Sequence, residues 1–562
     1  MPAAVLAANR QFILTDGHSS REAARMAQES EGSNHGRPPV ARWGTRIGVI
    51  FAVMGSAIGL GNFLRFPGLA AEYGGGHFMI PYFVAFVLLG LPIAWAEWSM
   101  GRLGSRDGFH STPGIFYVLW KNRISPYFGV LGLIVPVGIY MYYVYIESWC
   151  LYYAIGYLNG DLSLGRDPSR YVELFSNYTG ASENGALFDG GLSPAVWLLL
   201  FCFVLNFVII YRGLNRGIEL VSKYAIPFLF VCALVVLVRV LTLGTPDAAL
   251  PEQNLLNGLG RMWNPGTEDK SLLESLANSE IWLAAAGQIF FSLSVGFGII
   301  ITYASYVRKN EDVLLSGTTS ASGNLFAEVA LGGMITIPAA FIFLGPSFYD
   351  SVGSTFTLGF MTFPNIFANM PLGNVMGFLW FMLLFVAAIT SSLSMLQPAI
   401  AFFEEGLGMD RRASAVMLGF VTLVGSTFIV FFSKDFKALD VMDFWIGGGF
   451  IYLLATITVL IFGCGFGAEE GLAEAEKGSL MRVPRIFAFI LRWVSPAFLL
   501  IVFGAWLYQK AGGYIELIQT DPVARLTIGM IGVLLVFFTL LVMVAVRRWR
   551  KGDEVSRELG LH

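Results

Sequence analysis

The segment Gly55-Ser56-Ala57-Ile58-Gly59-Leu60-Gly61-Asn62-Phe63-Leu64-Arg65-Phe66-Pro67 places glycines, an amide and a guanidinium inside an otherwise apolar run. A helix broken at this point exposes carbonyls on one side of the break and amides on the other. Carbonyl oxygens suit a hard cation, and amides suit a carboxylate. Irregular backbone at membrane depth is tolerated only against protein or a water-filled cavity. The pattern therefore predicts a buried site for a cation and an organic anion together. Two further clusters have similar chemistry. Ser292, Ser294, Gly296 and Gly298 interrupt a later apolar run, and Thr390-Ser391-Ser392 puts three hydroxyls into another.

The elements that must position these residues are membrane helices. The chain has 562 residues, 55% of them hydrophobic and 13% charged, against about 25% charged in soluble domains. Apolar runs of spanning length predict twelve helices: 46–70, 78–101, 126–157, 194–212, 217–241, 280–306, 320–344, 375–404, 413–433, 441–464, 485–509 and 526–548. Both termini then lie on one side. Loops on that side carry most of the Lys and Arg, including Arg102, Arg106, Arg308, Lys309, Arg411 and Arg412, which makes that side cytoplasmic. The long outer loops are 158–193, 242–279 and 345–374, the last apolar enough to fold back as a lid. The expected organisation is a cytoplasmic tail (1–42), a first five-helix unit (43–243), a second (244–465), two further helices (466–550) and a short cytoplasmic tail (551–562). Cys150, Cys202, Cys232 and Cys464 lie in apolar runs and read as buried thiols rather than metal ligands or disulfides. Near-neutral net charge argues against a nucleic-acid partner; the surroundings are lipid, and oligomeric state is not legible.

The motifs resemble the neurotransmitter–sodium symporter family, in its bacterial amino-acid transporter branch. The resemblance runs from about residue 42 to 465. It rests on Gly59–Pro67, Glu72-Tyr73-Gly74-Gly75-Gly76, Tyr142–Trp149, Gly287–Ser294, Thr390-Ser391-Ser392 and Asp443-Phe444-Trp445. Interrupted first and sixth helices in matching positions mark inverted-repeat transporters, of which these symporters are the type case. The implied fold is all-α: a 5+5 inverted repeat with interrupted helices 1 and 6, plus two peripheral helices. The implied activity is sodium-coupled import of a small molecule across a bacterial inner membrane, which excludes an enzyme. Scattered histidines and the lack of an acid–base pair facing a cavity also argue against an intramembrane enzyme. Two gates argue against a channel. A non-transporting amino-acid sensor of the same fold is the remaining alternative, and the intact sodium side chains count against it.

The resemblance implies two sodium sites. The first uses Ala57, Asn62, Ser292 and Asn324 together with the substrate carboxylate. The second uses Gly55, Ile58, Ala387, Thr390 and Ser391. The substrate is expected among Ser56, Ala57, Leu60, Gly61, Ile139, Tyr143, Phe291, Ser292, Ser294, Phe297, Ser391 and Met395. Monoamine carriers of the family have Asp where this chain has Gly59, so the carboxylate must come from an amino acid. No acid or base lines the side-chain wall, which favours a neutral, apolar one. Arg65, Gln288 and Asp443 are the expected outer gate. Arg42 and Glu405 are the expected inner gate, although the family's arginine position is held by Val40. Glu328, with Tyr82, Gln288, Ser292 and Asn324 around it, stands where chloride-dependent members have Ser. The expectation is therefore chloride independence, with proton antiport as a corollary.

Overall fold

Apolar runs in lipid form helices because no water is available to satisfy open backbone groups. The computed structural model describes residues 42–264, 271–345 and 355–558, and among the described residues every regular element is helical. The tail expected at 1–42 therefore lies, apart from Arg42, outside the described residues, as do residues 559–562 of the short tail expected at 551–562.

Among the described residues ten helices are long and apolar enough to span a membrane. They are the second (Gly76–Asp107), third (Ser125–Asn159), fourth (Pro194–Tyr211), fifth (Leu214–Leu241) and seventh (Val313–Leu344) spans. The eighth (Gly373–Leu407), ninth (Arg411–Phe431), tenth (Lys434–Ala475), eleventh (Ile486–Thr520) and twelfth (Pro522–Asp553) complete them. The remaining two spans are broken. Arg46–Ala57 and Gly61–Glu72 meet at 50° and form the first. Ser279–Leu293 and Ile299–Ala304 form the sixth, separated by five irregular residues. That interruption needs left-handed backbone at Ser294 (φ 54°), Gly296 (φ 75°) and Gly298 (φ 78°). A side chain on Gly298 would also press to 2.7 Å from the Gly132 carbonyl of the third span. Glycine is what lets the break sit against its neighbour.

The third span is buried throughout its apolar stretch, whereas only 28% of the twelfth span's is. The third is thus central and the twelfth peripheral. The third packs most extensively on the eighth, and the first lies against the fifth, seventh and eighth. The described part of the 345–374 loop forms Thr357–Thr362 and Phe363–Asn369 and folds back onto the third span. There Phe360 packs on Trp149 and Tyr153, and its carbonyl accepts from the Tyr153 hydroxyl at 2.9 Å. One expectation needs correction. Cys150, Cys202 and Cys232 are buried, but Cys464 is exposed on the tenth span, because an apolar run in a membrane helix has a face turned away from the protein.

Candidate functional site

The first span stops as a regular helix at Ala57. Ile58 turns to extended backbone, and the chain resumes helical geometry at Gly61. Two side chains hold the break. The Asn62 side-chain oxygen accepts from Gly59 N at 2.9 Å, and the Tyr143 hydroxyl accepts from Leu60 N at 3.3 Å. Gly59 has no room for a side chain. A methyl there would lie 3.0 Å from the Tyr143 hydroxyl and 3.1 Å from the Ser391 hydroxyl.

The four residues expected at the first sodium site are brought together. Asn62 Nδ2 donates to Asn324 Oδ1 at 2.8 Å, and Asn324 Nδ2 donates to Ser292 Oγ at 3.2 Å. The Asn324 side-chain amide also lies 3.1 Å from the Ala57 carbonyl and 3.2 Å from the Ser292 carbonyl. The Ala57 and Ser292 carbonyls, the Ser292 hydroxyl and the side-chain amides of Asn62 and Asn324 thus meet at one buried point. A cation with oxygen ligands fits this donor set.

A second group of oxygens joins the first and eighth spans. Ser391 Oγ donates to the carbonyls of Gly55 (3.2 Å) and Ser56 (3.3 Å). Thr390 Oγ1 donates to the carbonyls of Val386 and Ala387, both at 3.1 Å. Gly55 lies directly against Thr390, where a methyl would come within 3.1 Å of its Cβ. Ile58 is fully buried at the bend.

Between the two groups is a small enclosed cavity. Ser56, Ala57, Gly59, Gly61, Asn62, Tyr143, Phe291, Ser292, Ser294, Phe297, Ser391 and Met395 line it. Ten of the twelve expected substrate residues are on this wall. Leu60 and Ile139 are not: the Leu60 amide is already bound by Tyr143, and Ile139 is buried in the packing of the third span. Serine hydroxyls knit the floor. Ser294 Oγ donates to Ser56 O at 3.0 Å, and Ser394 Oγ donates to Ser56 Oγ at 2.8 Å.

Glu328, fully buried on the seventh span, accepts from the Tyr82 hydroxyl at 2.6 Å and from Gln288 Nε2. Gln288 Nε2 also reaches Gly61 O at 3.4 Å, which connects this carboxylate to the broken helix. The Ser292 hydroxyl also reaches Glu328 and is hydrogen-bonded by Asn324.

The residues expected to form the gates make other contacts. The Arg65 guanidinium lies over the Phe291 ring, 4.8 Å from its centroid. Asp443 accepts from the Tyr142 hydroxyl at 2.5 Å. Among the described residues Arg65 and Asp443 form no ion pair, because each is held by an aromatic residue. Arg42 is exposed, and among the described residues no ion pair joins it to Glu405. Glu405 accepts from the backbone amides of His110 and Ser111 (3.1 Å for the latter) and from the Ser111 hydroxyl.

Sequence reasoning missed the residues that seat the first span at this end. Glu219, at the start of the fifth span, accepts from Gly44 N (2.8 Å), Thr45 N (2.9 Å) and Thr45 Oγ1 (2.7 Å). Arg46 pairs with Asp312 at 3.5 Å, and Trp43 Nε1 donates to Tyr303 O at 2.9 Å. The only signal in the sequence was a lone carboxylate opening an apolar helix. Its partners lie 174 and 175 residues away.

The model of the sodium:neurotransmitter symporter family matches residues 41–173 and 172–550. This chain belongs to that family. It is similar to MJ1319, an uncharacterized sodium-dependent transporter of Methanocaldococcus jannaschii, with 29% identity over 82% of this chain and 89% of the other. It is also similar to YhdH, an uncharacterized sodium-dependent transporter of Bacillus subtilis, with 27% identity over 82% and 96%. The mouse sodium-dependent neutral amino acid transporter B(0)AT3 is 29% identical over 53% of this chain and 48% of its own length. Among solved structures, that of MhsT in complex with L-phenylalanine superposes with a TM-score of 0.70 at 28% identity, covering 83% of this chain and all of the other. The symporter family membership makes the chain a sodium-dependent transporter and not an enzyme. Its all-helical architecture is that of the inverted-repeat symporters.

Proposed function

We propose that this symporter imports a neutral, apolar amino acid with sodium, by alternating access, across a bacterial inner membrane with both termini in the cytoplasm. The observation that carries the reading is the gathering of Ala57, Asn62, Ser292 and Asn324 at one buried point, immediately beside the broken helix at Gly59 to Gly61. One sodium ion is held there and shares the substrate carboxylate. The two opposite charges lower each other's cost in a low-dielectric site, and that is the coupling. A second sodium is held by Gly55, Ile58, Ala387, Thr390 and Ser391 and ties the first span to the eighth. Residues 43–243 and 244–465 form the two repeats, with 466–550 outside them.

The side chain of the substrate meets Phe291, Phe297, Met395 and the serine floor. A charged side chain there lacks a counter-ion and is rejected. Phe291 and the Arg65 stacked on it close the site from outside, and Arg65 reaches Asp443 as closure completes. Glu328 supplies the negative charge that chloride brings to other members. It is ionised with sodium and substrate bound and takes a proton on the return step, giving chloride independence with proton antiport.

The test is uptake of a panel of neutral amino acids into proteoliposomes under an inward sodium gradient. Sodium-dependent accumulation of an apolar member supports the reading. Binding with no accumulation would make the protein a sensor, and no sodium-dependent binding or uptake of any member would refute the proposal.

A further inference from the structure

Glu147 is a carboxylate that the transport scheme above does not use. It lies on the third span, one helical turn beyond Tyr143, and is fully buried. Its oxygens accept from Ser392 Oγ at 2.6 Å and from Asn206 Nδ2 at 3.0 and 3.2 Å. These donors, and the Cys202 thiol that also hydrogen-bonds to it, are neutral, and among the described residues no Lys, Arg or His pairs with it. A carboxylate at membrane depth is costly and tends to be retained for function.

The second sodium site lies on the other flank of the same stretch of the eighth span. Its proposed ligands are all neutral oxygens, whereas the first site has the substrate carboxylate and nearby Glu328. Ser391 and Ser392 are consecutive, about 100° apart around the helix. Ser391 turns its hydroxyl to Gly55 and Ser56 on the first span, while Ser392 turns its hydroxyl to Glu147. The eighth span thus has a cation site on one side and a buried anion hydrogen-bonded to the adjacent residue on the other.

We infer that Glu147 is the counter-charge of the second sodium ion, and that Ser392 holds its carboxylate against the sodium-binding turn of the eighth span. This rests on the two-sodium reading above. Glu147 touches neither ion nor substrate, so it is a positioning and charge-compensating residue. The attraction acts through protein of low polarisability, where Coulomb terms are larger than in water.

Glu147→Gln tests this with little risk to folding. Its Nε2 can donate to Asn206 Oδ1, which is buried and has no partner, while its oxygen still accepts from Ser392. The probe is sodium alone. Purified full-length protein in detergent is titrated with NaCl against choline chloride at constant ionic strength, and thermal unfolding is followed. The Asn62→Ala background weakens the first site, so the titration reports the second. The expected result is an unchanged unfolding temperature in choline and a sodium half-saturation raised about tenfold, equivalent to roughly 1.4 kcal/mol. Ser392→Ala, which keeps the charge but frees it, should give a smaller shift in the same direction.

If Glu147→Gln leaves sodium half-saturation unchanged, the inference is overturned and Glu147 is a packing group. If it lowers the unfolding temperature in choline with no change in half-saturation, the role is structural only. If the parent protein shows no sodium-dependent stabilisation, the two-sodium reading itself fails. Should Glu147→Gln not fold, Ser392→Ala decides, and an unshifted titration there overturns the inference.

Discussion

Asn62→Ala removes one side chain that serves both halves of the proposed coupling. Its oxygen caps Gly59 N at 2.9 Å, and its nitrogen donates to Asn324 Oδ1 at 2.8 Å. Asn62 is fully buried, so the partners left behind have no water to replace it. Each buried group orphaned in this way costs about 1–3 kcal/mol, which puts the loss of stability at roughly 2–6 kcal/mol. The same oxygen is a proposed sodium ligand. A hydrogen bond or ligand contact to a charge is worth about 1.5–3 kcal/mol, so sodium affinity should fall about 10- to 150-fold. Linkage then requires substrate affinity at a fixed subsaturating sodium concentration to fall with it, because each ligand's effect on the other is the same factor. The assay is radiolabelled amino-acid binding to purified protein across a sodium titration. Loss of substrate affinity with an unchanged sodium dependence would refute the shared site, as would loss of sodium affinity with substrate binding untouched.

Other outcomes follow from the same geometry. Glu328→Ser should make transport depend on chloride, read as uptake in liposomes when chloride is exchanged for gluconate; uptake indifferent to chloride in the variant would remove the basis of the substitution argument. Glu219→Ala strips the acceptor from Gly44 N, Thr45 N and Thr45 Oγ1, so hydrogen exchange at residues 44–48 should quicken about tenfold or more, the effect of losing roughly 1.4 kcal/mol. Exchange as slow as in the parent would mean that the seat does not depend on this carboxylate. Gly332→Ala would place a methyl 2.0 Å from the Asn62 carbonyl. Backbone has little room to retreat there, so this conservative change should cost about 1–3 kcal/mol or more in stability and weaken sodium-dependent binding, and a fully active variant would show that the first and seventh spans are less closely apposed.

The broken helix could be read directly from the chain because its cause is local. Gly59, Gly61 and Asn62 inside an apolar run are poor choices for a plain membrane helix, and the Ser294–Gly298 stretch repeats the anomaly. The apolar runs predicted the spanning helices for the same reason, although their ends shifted. The tenth, for example, continues to Ala475 rather than 464. Ile139 stands one turn before Tyr143 on the same face of the third span, yet is not among the residues lining the small cavity, because periodicity gives a face but not the depth at which a cavity opens. Cys464 failed in the opposite sense, since apolar surroundings in sequence do not say which face of a span meets protein.

The sequence by itself determined that this is a many-spanning helical protein with two interrupted helices whose chemistry suits a cation and a carboxylate. Those features depend on composition and on residues within a turn or two of one another. Only the tertiary structure decided that the Asn324 amide meets Asn62 and Ser292, that Arg65 rests on Phe291 while Asp443 is held by Tyr142, and that Glu219 clasps the start of the first span. It alone also joined Glu147 to Ser392, which lie 245 residues apart. Such contacts form only when distant helices pack, and each depends on which face a helix turns inward. Periodicity leaves that open in spans that are apolar all round.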